Sequence, residues 1–252
     1  MTAALRAEVR KLTTTQVLFW LVVLAVLLSL ALSSLISAFA ERTEGGQPLE
    51  LVLNAILGFP FLLAAILGVI GITGEYRHLT ITPTFLSVPR RGVVVSAKLV
   101  TYLVTGLLLG LLCLGAAVAL ATPWLNARGF EIDLGASSTI RILVGGVIAS
   151  GIYGIFGVGL GALLRNQVAA VVGLVIYLFV AEPILSAIPK VRAAYPYLPG
   201  GAASAVTQTA DPNVQTTSYT LLEPWQGGLL LLAYGLVFAI IGSFLTVRRD
   251  VS

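Results

Sequence analysis

Six apolar runs, each long enough to cross a bilayer, limit what this chain can fold into more than any other feature. They cover roughly 17–40, 51–73, 94–121, 140–164, 168–188 and 226–247. A membrane-spanning helix needs about 20 apolar residues. The first run, VLFWLVVLAVLLSLALSSLISAFA, extends about 36 Å at 1.5 Å per residue. In hydrocarbon every backbone N–H and C=O must be satisfied inside the protein, so such runs are read as helices. Of the 252 residues, 58% are hydrophobic and 10% charged, against about 25% charged in a soluble domain. The expected fold is an all-α polytopic membrane protein with six transmembrane helices, one transmembrane domain over residues 1–252. The first run ends in Ala38-Phe39-Ala40, like a signal-peptidase site. Its apolar core far exceeds the roughly 7–15 residues of a signal sequence, so it is read as a retained span.

Charge placement orients the spans. With both termini on the cytoplasmic side, the inner segments hold ten Lys and Arg residues, among them Arg6, Arg10, Lys11, Arg77, Lys98 and Arg165. The outer segments hold five: Arg42, Arg128, Arg141, Lys190 and Arg192. Acids lean the other way. The even number of spans agrees with termini that share a side. The single cysteine, Cys113, lies inside an apolar run, and His78 is the only histidine. That leaves neither a disulfide framework nor a soft-ligand metal site.

The segments between the runs carry the chemistry. Residues 3–13, AALRAEVRKLT, place Leu5, Val9 and Leu12 on one helical stripe with Arg6, Arg10 and Lys11 largely off it. This reads as a short amphipathic helix lying on the inner membrane surface, or as a simple basic flank. Residues 74–91, GEYRHLTITPTFLSVPRR, form a basic loop between the second and third spans. Gly74 is positioned to end the second helix. Thr82-Pro83 resembles an N-cap followed by Pro at N1, giving a helix of barely two turns over 83–88 that Pro89 stops. Leu79, Ile81, Phe85, Leu86 and Val88 give the loop an apolar side. A docking element and an ordinary charged loop both fit. Residues 122–139, with Pro123 and Trp124, read as an outer loop. The first half of 189–224 is apolar enough to re-enter the membrane; a loop anchored at the interface by Tyr195 and Tyr197 is the alternative.

Motifs for catalysis are missing. There is no GxxxxGK[ST] phosphate loop, no GxSxG elbow and no HExxH pair in the sequence. His78 has no nearby Ser or Cys and reads as a helix-end or interface residue. Glu182-Pro183 stands inside the fifth run, where a carboxylate is costly and faces protein or a water cavity. It either lines a translocation path or pairs with Arg141 or Arg192. Glycines crowd the fourth run, and Gly157/Gly161 and Gly106/Gly110 form small-xxx-small pairs that let helices approach closely, within the bundle or at a subunit interface.

The order of these pieces resembles the membrane subunits of type-2 ABC exporters, over nearly the whole chain. AEVRKLTTTQ looks like that family's connecting helix, and GEYRHLTITPTFLSVPRRGVVVSAKL like its coupling region. GALLRNQVAAVVGLVIYLFVAEPIL is similar to its fourth and fifth spans with their short inner turn. YLPGGAASAV and a last span ending in VRRD also match. The resemblance implies a permease in a bacterial plasma membrane, paired with a second copy or a sister permease and served by two ABC ATPase subunits. ATP and Mg would then be bound by those subunits and no cofactor by this chain; nucleic acid is not an expected partner. Coupling to the ATPase would fall on Glu75, Tyr76, Arg77 and His78, and on the short helix marked by Thr82, Pro83 and Phe85. Arg165 and Asn166 at the turn before Gln167 would make a second contact. The family's outer re-entrant segment maps to about 189–206. The chain itself would be a non-catalytic subunit. The rival readings are an ion-coupled secondary carrier, an intramembrane enzyme and a membrane assembly protein that transports nothing.

Overall fold

Backbone amides in apolar surroundings bond within their own helix, and the described residues contain helices and turns and no strand. The computed structural model describes residues 2–40, 48–77, 91–188, 190–209 and 220–249. Helix α1 (Thr2–Thr14) precedes α2 (Gln16–Phe39), which is span 1. Span 2 is broken into α3 (Pro48–Ile56) and α4 (Gly58–Arg77). Span 3 is α5 (Arg91–Ala127), and span 4 is α6 (Ser137–Leu164). Span 5 joins α7 (Gln167–Ile176) to α8 (Glu182–Ala187) through one π-helical turn, Tyr177–Ala181. A 3-10 turn (Arg192–Tyr197) and α9 (Pro199–Thr207) follow, and α10 (Pro224–Arg249) is span 6. All six spans are long and apolar enough to cross a membrane. The molecule is an all-α, multi-pass membrane protein by the length and composition of its helices.

Two span ends differ from expectation. Gly74 does not stop span 2, which runs to Arg77 because the carboxylate of Glu75 is tied to cations on two neighbouring helices. Span 3 continues past residue 121 through Pro123 to Ala127, so Pro123 and Trp124 belong to a helix rather than to a loop. Proline costs one backbone bond there without ending the helix.

Span 4 is the centre of the bundle and packs against spans 2, 3 and 6 and α9. Its glycines make this possible. A Cβ on Gly157 would lie 2.0 Å from the Ala65 carbonyl oxygen, and one on Gly68 would lie 2.3 Å from that of Gly154. Spans 2 and 4 therefore touch backbone to backbone. On its other side, a Cβ on Gly106 of span 3 would meet the Ser150 carbonyl oxygen at 2.4 Å. Both small-xxx-small pairs thus serve packing within the chain. Span 1 uses a different device. Its buried residues are Ala25, Ser29, Ser33 and Ser37, every fourth position. This thin stripe faces span 3, where the Ser33 hydroxyl donates to the Ala117 carbonyl at 3.4 Å. Phe19, Trp20 and Leu27 on the remaining faces stay exposed, as befits a helix among lipids or against another subunit.

Candidate functional site

Alternating spans bring α1, the last turn of span 2 and the first turns of span 3 to one end of the bundle. Four charged side chains meet there. Glu8 comes from α1, Glu75 from span 2 and Lys98 from span 3, and all three are buried; Lys11 of α1 covers them and is half exposed. Lys98 Nζ donates to Glu8 Oε2 at 2.7 Å, to Glu75 Oε1 at 2.8 Å and to the Gly71 carbonyl at 3.2 Å. Lys11 Nζ donates to Glu8 Oε1 at 2.9 Å and to Glu75 Oε1 at 2.6 Å. Two cations and two carboxylates balance, so no net charge is buried.

The local sequence explains the convergence. Thr15 is extended (φ −94°, ψ 116°), so α1 ends there and is free to leave the axis of span 1. Glu8 and Lys11 lie one turn apart on α1 and face the bundle together. Gly71 leaves the space its missing Cβ would fill to the Tyr102 hydroxyl, 1.8 Å from that position, and its carbonyl becomes the third acceptor for Lys98. Burial alone would lower the pKa of Lys11, but its hydrogen bonds to Glu75 and Glu8 outweigh that and hold it above the ordinary lysine value.

Energetics define what such a cluster is for. Desolvating an ion costs several kcal/mol, and a buried pair adds little net stability, whereas removing one partner costs about 3–5 kcal/mol. The cluster therefore acts as a register pin. It fixes which turn of α1 meets which turn of spans 2 and 3.

The sequence reading missed half of this pin. There Lys98 figures only as an inner-side charge, and the stripe Leu5, Val9 and Leu12 marks a helix lying on the membrane surface. In the structure Val9 is 51% exposed while Glu8 is buried. The available signal was Lys98 itself, a lone cation within an apolar run. Among the coupling residues, Glu75 belongs to the cluster, Tyr76 packs against the apolar core and Arg77 is exposed on the same last turn of span 2. They stand on a helix rather than in a loop. His78, Thr82, Pro83, Phe85 and the short helix over 83–88 lie outside the described residues. Arg165 and Asn166 form the turn between spans 4 and 5. Arg165 is left-handed at φ 53° and caps span 4 by bonding the Gly161 carbonyl. Its Nη2 also reaches the Gly242 carbonyl of span 6 at 3.3 Å, and the Asn166 side chain caps span 5 through the Ala169 amide at 3.1 Å.

At the opposite end of the bundle, Glu182 is 3% exposed. Its Oε1 accepts the amides of Gly200 at 2.7 Å and Gly201 at 3.1 Å, the first turn of α9. The expected pairing with Arg141 is not formed. That guanidinium donates to Gln208 Oε1 at 2.8 Å, held there by the left-handed end of α9. Arg192 donates its Nε to the Ser186 carbonyl at 3.2 Å. Glu182 thus binds a helix N-terminus, whose exposed amides and dipole favour a carboxylate. No protein-family model matches the chain, and no curated protein or solved structure matches it.

Proposed function

We propose that this chain is the membrane-spanning permease subunit of an ATP-driven exporter. It works as a dimer with a second copy or a sister permease, and two separate ATPase subunits dock on the end that carries α1. The observation that carries this reading is the charge cluster of Glu8, Lys11, Glu75 and Lys98. It bolts α1 to the two helix ends that bracket residues 78–90. Two helix ends pinned to α1 pass on a push instead of absorbing it, as coupling to a partner requires. The sequence supports the same reading, since it has transmembrane spans and an exporter-like order of segments but no phosphate loop of its own. In this reading both termini, α1 and residues 78–90 are cytoplasmic. Glu75 positions the coupling segment and Arg77 meets the partner.

The reading is tested by purifying the tagged chain from its native membrane and assaying the preparation for ATPase activity. A co-purifying ATPase whose transport, but not hydrolysis, is lost in Arg77→Ala is the expected result. A chain that purifies without any ATPase and transports alone overturns it in favour of a carrier.

A further inference from the structure

Three breaks in regular helix converge on one cavity near the far end of the bundle. Span 2 is interrupted at Leu57, between Ile56 and Gly58, three residues before Pro60. Span 5 makes its π-helical turn at Tyr177–Ala181, just before Glu182-Pro183. The short helix α9 starts at Pro199 against the Glu182 carboxylate. Irregular backbone within a membrane bundle is tolerated where it lines a cavity or is covered by protein, and π-turns recur at functional sites. The half-open cavity has a volume of about 300 Å³, the lower end of small-molecule pockets.

The chemistry of its wall is specific. Glu182 supplies a carboxylate. Phe61 and Tyr153 stack with ring centroids 5.1 Å apart and planes 11° from parallel, and both border the cavity. Asn54 Oδ1 is buried and accepts no hydrogen bond from the described residues. Ser204 and Thr207 add hydroxyl groups. The two amides of α9 occupy Glu182 Oε1, which fixes the carboxylate beside the cavity. Among the described residues, no lysine or arginine borders the space. A carboxylate, an aromatic wall and a spare carbonyl oxygen together suit a cation with apolar substituents, which gains from both the charge and the aromatic surroundings.

We infer that this cavity binds an organic ammonium ion. The ammonium group sits between the Glu182 carboxylate and Asn54 Oδ1, with its substituents against Phe61 and Tyr153. As a cargo site the cavity rests on the permease reading; as a binding site it stands on the geometry alone.

The test is calorimetric titration of the purified full chain in lipid nanodiscs, without any ATPase. The probes are benzyltrimethylammonium and N,N-dimethylbenzamide, an uncharged compound of similar size. Saturable binding of the cation at least tenfold tighter than the amide is expected. E182Q keeps the acceptor for both amides of α9 and removes the charge, so it should abolish that preference and leave amide binding unchanged. N54L and F61L should each weaken the cation severalfold, and they decide the matter if E182Q does not fold. Equal affinity for the two probes, no saturable cation binding, or an unchanged preference in the folded variants overturns the inference. Because no ATPase is present, none of these outcomes bears on whether the chain pairs with one.

Discussion

Lys98 Nζ lies 2.7 Å from Glu8 Oε2, across ninety residues of sequence. The contact joins the first helix of the chain to the third span at a point where Lys98 is 1% exposed. Glu75 shares the same ammonium at 2.8 Å, so one cation holds three segments together. Lys98→Met leaves two buried carboxylates with only the half-exposed Lys11 between them. It should destabilise the chain by about 3–5 kcal/mol, read as a lower unfolding midpoint in detergent. Adding Glu8→Gln should recover part of the loss, because one of the stranded charges is gone. Additive effects of the two changes would show that the pair is not coupled.

Lys11 gives the cluster a pH signature. Its pKa in the folded chain is raised above 10.5, so its contribution is fully present below that value and fades as pH climbs through the raised one. A fluorophore on Arg6→Cys, in a Cys113→Ala background, reports the docking of α1 through its anisotropy. The anisotropy should stay flat from neutrality to about pH 10 and fall only beyond. Lys11→Arg should extend the plateau, since arginine does not deprotonate in this range. A fall centred near neutrality would mean that another group controls the docking.

How much was legible beforehand follows from how strong each signal is. Spans are read from runs of apolar residues, and the six runs coincide with the six long helices apart from a few residues at their ends. Gly74 is a helix stop by local preference, yet the ties on Glu75 carry the helix past it. The Glu182 carboxylate stands out in the sequence as a costly charge within an apolar run, with a translocation path or a pair with Arg141 or Arg192 as its expected roles. The true partners are backbone amides of Gly200 and Gly201, which no side-chain pattern reveals. The charge cluster was hidden for a similar reason. Glu8 looks like an ordinary flanking charge until the helices are brought together, and only Lys98, a cation within an apolar run, hints at a buried partner.

Backbone contact between spans 2 and 4 predicts a sharp contrast between glycines. At Gly157 a methyl group would collide with the Ala65 carbonyl, carbon and Cα at 2.0–2.7 Å. None of these atoms belongs to a side chain that can rotate away, so the spans must part. Gly157→Ala should cost at least the roughly 1–3 kcal/mol typical of overpacking and lower the yield of folded protein. Gly115→Ala meets nothing within 4 Å and should be neutral or slightly stabilising. Equal melting behaviour of the two variants would contradict the described packing.

Glu182 should hold α9 in place through hydrogen bonding more than through charge. Glu182→Ala strands the amides of Gly200 and Gly201, each a loss of about 1–3 kcal/mol if it stays buried. Amide hydrogen exchange across 199–207 should accelerate strongly in that variant. In Glu182→Gln the carbonyl oxygen still accepts both bonds, so exchange should stay close to the parent. Equal acceleration in both variants would show that the negative charge, rather than the acceptor, holds the helix.

Orientation in the bilayer can be tested at a single position. Ten of fifteen basic residues fall on the side of the termini when the chain is threaded through six spans, and the positive-inside rule predicts that side to be cytoplasmic. Arg165 bonds span 6 at the Gly242 carbonyl, and the charge cluster joins α1 to spans 2 and 3. A cysteine replacing His78 in the Cys113→Ala background should therefore react with an impermeant maleimide only in inverted vesicles. Cysteines at Arg6 and Asn166 should behave the same way, while one at Asp133 should react in intact cells. Labelling of position 78 from outside would reverse the orientation of the whole bundle. It would also remove the cytoplasmic face on which the proposed ATPase docks.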